Sequence, residues 1–153
     1  MPDDVLVSLR RIWSAAAAGI LVLTGIVLAT ADATSTVPTA LPVLLVVLVG
    51  VAAVAGVVAA ERALHRQRPR PREAMAVVRT QAYLQLAIGE FPLLLAVAMA
   101  YVLGPPWLVV PGAAAALAAL AIGRPTADRL GRLEAGWALP PGTLGGGHDV
   151  TDL

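Results

Sequence analysis

The sequence predicts an all-α protein, a four-helix transmembrane bundle with a short cytoplasmic interfacial helix. Three observations point there. Of 153 residues, 58% are hydrophobic and only 14% are charged, against roughly half and a quarter in soluble domains. With a mean hydropathy of +0.80, so small a globule cannot turn all of its apolar side chains inward, and the excess has to face lipid or a partner. The apolar residues fall in four blocks, Ile12–Thr30, Leu41–Ala60, Ala82–Leu103 and Trp107–Gly123. All eleven basic residues are arginine, and they lie on alternate sides of those blocks.

A span needs about 20 apolar residues at a rise of about 1.5 Å each. The first three blocks meet that length. The fourth is shorter and alanine-rich, with Pro111 in its first turn. Lipid offers no partner to stray backbone groups, so each block is expected to be helical. Arg10 and Arg11 precede the first block, and its apolar run with Ala29-Thr30-Ala31 and Ala31-Asp32-Ala33 also fits a cleavable signal, which would leave three spans. A run of about 19 residues exceeds the 7–15 of a signal's core, which favours a retained span.

The connections set the expected topology. The first, Ala31–Ala40, carries Asp32 and no arginine, and the Gly104-Pro105-Pro106 turn is uncharged. The connection between the second and third blocks holds Arg62, Arg66, Arg68, Arg70, Arg72 and Arg79, and the tail holds Arg124, Arg129 and Arg132. Basic residues concentrate on the cytoplasmic side, so both termini and the central loop are expected there. The arginine-for-lysine usage is that of a GC-rich genome, and a bacterial inner membrane is the expected location.

The loop Arg66-Gln67-Arg68-Pro69-Arg70-Pro71-Arg72 should end the second helix before Pro69, with a new helix beginning near Glu73. In the tail, Thr126 is placed to cap a helix with Asp128 in its first turn. Ala127, Leu130, Leu133 and Trp137 recur on one face, with Arg129 and Arg132 elsewhere on the wheel. This segment, residues 124–139, is expected to lie in the cytoplasmic interface, and residues 140–153 to be a disordered tail. Trp13, Trp107 and Trp137 each adjoin a boundary, the usual place for interfacial anchors. Arg66, Arg68, Arg70, Arg72, Arg129, Arg132 and Trp137 are the candidate contacts to anionic lipid headgroups or a partner.

Several chemistries are unsupported. Cysteine is absent and the two histidines, His65 and His148, sit in hydrophilic segments among arginines and glycines respectively, which argues against a multi-histidine metal site. There is no phosphate loop, Gly-x-Ser-x-Gly or His-Glu-x-x-His pattern. The expectation is a protein that is not an enzyme, with no cofactor and no nucleic-acid partner, working alone, as a homo-oligomer or within a larger membrane complex.

Glu90 is the one acid inside a predicted span. It lies about 16 Å past Arg79 at helical rise, near the bilayer midplane. A charge there costs at least about 2.5–3.5 kcal/mol, so the carboxyl should be shielded, paired or protonated. On a helical wheel Tyr83, Ala87, Leu94, Val97 and Tyr101 share its side, Gln81 and Gln85 fall away from it, and Pro92 should bend the helix just beyond. Glu90, with Tyr83 and Pro92 beside it, is the candidate proton- or cation-binding site.

Arg79-Thr80-Gln81, the nine-residue step from Gln81 to Glu90, and Pro92 resemble the second helix of F-type ATP synthase subunit c. Arg66-Gln67 and Pro69 stand where that family has Arg-Gln-Pro in its cytoplasmic loop, with Arg68 inserted. The resemblance covers about residues 61–103. It implies a helical hairpin in which Glu90 carries the proton. The chain differs in having two further spans, and in having only Gly50 and Gly56 where the family's first helix has closely spaced glycines. The reading adopted is a non-enzymatic inner-membrane protein with a protonatable carboxyl at Glu90; the alternative is a scaffold or assembly subunit in which Glu90 only packs.

Overall fold

In a computed structural model the described residues, 2–31, 40–103 and 105–144, form helices and connecting turns. The helices are α1 (Pro2–Thr30), α2 (Ala40–Arg66), α3 (Pro71–Leu103), α4 (Val109–Gly123) and α5 (Ala127–Gly136), with a 3₁₀ turn at Pro106–Leu108 before α4. Four helical stretches, the last joining the 3₁₀ turn to α4, are long and apolar enough to cross a membrane, so the chain is a multi-pass membrane protein. Asp32, Gly104, His148 and the Gly145-Gly146-Gly147 run lie outside the described residues, as does the tail 145–153.

The proline positions explain the helix starts. Pro42 and Pro111 sit in the first turns of α2 and α4, where a missing N–H removes no intrahelical bond. Pro71 opens α3, two residues before the expected start, because its fixed φ suits the first helical position. The Arg70 carbonyl accepts from the amides of Glu73 and Ala74 at 2.9 and 3.0 Å.

Helix α4 is the hub, packing on α1, α2 and α3. It can do so because its buried face is mostly small, with Gly112, Ala113, Ala116, Ala119 and Gly123 beside Val109 and Leu120. Between apolar helices in lipid, close approach and dispersion replace the hydrophobic drive. At Gly112 a methyl would meet the Pro92 carbonyl oxygen at 2.8 Å, and at Gly50 the Ala115 Cβ at 2.8 Å. Helix α1 supplies Trp13, Ile20 and Val27, seven residues apart, to the same core. Helix α2 buries one stripe, Val46, Gly50, Ala53 and Val57, and leaves Leu44, Leu48 and Val51 exposed, as a lipid-facing side should be.

Helices α2 and α3, with 27 and 33 residues, are about 40 and 50 Å long at helical rise, against a hydrocarbon core of about 30 Å. Their arginine-rich ends therefore stand beyond it, and there a second core forms from Leu64, Ala74, Val78, Leu130, Leu133, Trp137 and Leu144. The amphipathic face read for α5 is real, with Leu130 and Leu133 buried, but α2 and α3 cover it rather than lipid. Helix α5 caps the end of the bundle.

The tail also begins in order. Glu134 accepts from the amides of Gly142, at 3.3 Å, and Leu144, which draws Leu144 into the second core. The expected disorder from residue 140 is therefore corrected for Pro140–Leu144, because a buried acid on α5 supplies the acceptor their amides need.

Candidate functional site

Two acids define the sites, Glu90 in the middle of α3 and Glu61 near the end of α2. Glu90 is half-buried and faces α1 across a cavity of about 240 Å³ lined by Ala16, Gly19, Ile20, Leu23, Leu93 and Leu94. Gly19 leaves the opposite wall open, since a methyl there would meet nothing within 4 Å. Among the described residues no arginine or histidine pairs with Glu90.

Its expected companions are not brought to it. Tyr83 is exposed and lies two helical turns, about 10 Å, away along α3. Pro92 is buried against α4, where its carbonyl abuts Gly112. Two residues along a helix turn the side chain through about 200°, so Glu90 and Pro92 face different helices. Tyr101 instead shares a 2.7 Å hydrogen bond between its hydroxyl and that of Thr30.

The arginine-rich end holds a denser polar site. The Arg129 guanidinium, 7% exposed, forms a fork on Glu61: Nε donates to Oε1 at 2.7 Å and Nη2 to Oε2. Nη2 also donates to Gln85 Oε1 at 3.1 Å, and Gln85 Nε2 donates to Glu61 Oε2 at 3.0 Å. Nη1 donates to the carbonyl of Gly123, the last residue of α4, at 2.9 Å. One guanidinium on α5 thus joins α2, α3 and α4. Such a bidentate charged pair is strong and directional, and every buried side-chain N and O atom among the described residues has a partner.

The local sequence positions each member. Thr126 caps α5, its hydroxyl accepting from the Arg129 amide at 3.3 Å, so Arg129 sits in the first turn, directly after α4 ends. Gly123 allows the close approach: a methyl there would lie 3.2 Å from both Gln85 Oε1 and the Trp13 ring.

The tryptophans complete this end by a related device. The last four carbonyls of a helix lack intrahelical donors. Trp13 Nε1 donates to the Leu120 carbonyl in the last turn of α4 at 2.9 Å, and Trp137 Nε1 to the Leu64 carbonyl in the last turn of α2 at 3.2 Å. Both rings are buried, whereas Trp107 is exposed.

Arg129 and Trp137 were therefore misread as contacts to lipid or a partner. The acid at Glu61, the Gly123 carbonyl at the end of α4 and the Leu64 carbonyl in the last turn of α2 draw them into the protein. Arg66, Arg68, Arg70, Arg72 and Arg132 remain exposed. The only pairing among these five, within the described residues, is Arg70 to Glu73 at 3.8 Å, with side chains 85% and 61% exposed, too solvated to contribute much.

Glu61 and Gln85 escaped the sequence reading. One signal was present: an acid in the last turns of a helix opposes the helix dipole, so Glu61 at the end of α2 needed a cation. Comparison with protein families, characterised proteins and solved structures gives no match, so the geometry alone carries the functional reading.

Proposed function

We propose that this chain is a non-enzymatic protein of the bacterial inner membrane, with its arginine-rich end in the cytoplasm, in which Glu90 binds and releases a proton. The observation that supports this reading is the contrast among its acids. Glu61 and Glu134 are saturated with donors, whereas Glu90 borders an open cavity in the middle of a span with no described cation beside it. An acid inside a span is by default a functional candidate, and this one is left facing open space. The hairpin of α2 and α3, which resembles subunit c, agrees with that role.

A second reading, a scaffold or assembly subunit of a larger membrane complex, is favoured by a different observation. The most fully built polar site, around Arg129, serves to join α2, α3 and α4 to α5. The two readings part at Glu90→Gln. Glutamine matches the neutral acid in size and hydrogen-bonding capacity but does not titrate. In cells that depend on this protein, Glu90→Gln should keep normal protein levels and lose growth at one extreme of external pH. Equal growth of both strains across pH gives the scaffold reading first place.

A further inference from the structure

We propose that the groove between α1 and α4 at the arginine-rich end binds one anionic phospholipid, with its phosphate between Arg10 and Arg124 and an acyl chain over Trp13, Ala17 and Leu117. The groove measures about 410 Å³. Arg10 and Arg124 both line it, one from each helix. From Arg10 to Ala17 on α1, and from Arg124 to Leu117 on α4, the lining descends seven residues, about 10 Å, towards the middle of the membrane. Two cations therefore stand at headgroup level above an apolar floor on both walls, which matches a charged headgroup with the first part of its chain.

The other donors of the groove are committed. Trp13 Nε1 donates to the Leu120 carbonyl, which ties the floor together, and the Ser14 hydroxyl donates to the Arg10 carbonyl at 3.0 Å. Among the described residues no acid pairs with either guanidinium, and guanidinium is suited to phosphate. The three other described openings lack this combination. The α1–α3 cavity offers no arginine, its one ionisable lining residue being the acid Glu90, and the grooves on either side of α2 are lined by apolar residues alone. A free phosphate would use the arginines but not the floor, so the floor points to a lipid.

The test is native mass spectrometry of the protein released from nanodiscs of equal parts phosphatidylglycerol and phosphatidylcholine. Each arginine near an anionic headgroup contributes about fivefold, so two predict a preference of about 30-fold for phosphatidylglycerol, as one retained molecule. Arg10→Gln/Arg124→Gln should bring the two lipids near parity, and Arg10→Lys/Arg124→Lys should keep most of the preference. Leu117→Trp, which fills the floor, should reduce retention of phosphatidylglycerol with both arginines intact. Arg66→Gln/Arg70→Gln should change nothing. The proposal is overturned if Arg10→Gln/Arg124→Gln retains the wild-type preference, if the loop variant loses as much, or if millimolar inorganic phosphate displaces the lipid.

Discussion

The two halves of this bundle are held by different forces. In the middle of the membrane, helices meet through glycine and alanine: Gly50 on Ala115, Gly89 on Ala119, and Gly112 on Ala96 and Pro92. At the arginine-rich end there is an ion-pair network on Glu61 and a second apolar core under α5. Lipid is as apolar as leucine, so burying leucine drives association only where water is the alternative. The difference teaches where each kind of side chain is worth placing. Small residues lock the middle of the bundle, and charges and large apolar residues lock its arginine-rich end.

The sharpest way to break this comparison is Arg129→Ala. It strands Glu61 and reopens the end of α4, and losing one partner of a buried pair costs about 3–5 kcal/mol. Glu61 retains 20% side-chain exposure, which places the expected loss near the lower figure. Thermal unfolding in detergent should show it, with new protease cleavage between α4 and α5. Glu61→Gln/Arg129→Gln should recover part of the loss. Equal losses in the single and double variants would mean the network contributes nothing specific.

Gly112→Val probes the other half. Its side chain would run into the Pro92 carbonyl, and overpacking of this kind costs about 1–3 kcal/mol. Gly19→Ala, which meets nothing within 4 Å, should be neutral in the same unfolding assay. If both behave alike, close helix approach is not what holds the middle.

Smaller effects separate the tryptophans. Trp13→Phe removes the donor to the Leu120 carbonyl and should cost about 1 kcal/mol in the same assay. Trp107→Phe, at an exposed position, should change unfolding little. The smallest expected change is a gain. Ala138 follows α5 with φ of 52°, a left-handed position that glycine occupies without the steric cost, so Ala138→Gly should stabilise the cap by about 1 kcal/mol.

The four spans were legible from hydropathy, and the Thr126 cap from its residue type. The rest was not, for physical reasons. Periodicity shows that Leu130, Leu133 and Trp137 share a face, but not whether lipid or protein covers it. Arg129 and Glu61 are 68 residues apart, so their pairing depends on how α5 folds back, which no local pattern encodes. Trp13 and Trp137 look like interfacial anchors because such anchors also sit at boundaries; what turns them inward is a carbonyl acceptor in the last turn of another helix. Glu90 was singled out because an acid in an apolar run stands out. Glu61 was missed because it lies at the run's edge, among arginines.

The account rests on one contrast, a locked acid at Glu61 and an available one at Glu90. A carbodiimide reacts with accessible protonated carboxyls, so treating the intact protein in nanodiscs and mapping adducts by peptide mass spectrometry tests it directly. The expected result is an adduct at Glu90 and none at Glu61, with labelling lost in Glu90→Gln. An adduct at Glu61 with none at Glu90 would contradict the account.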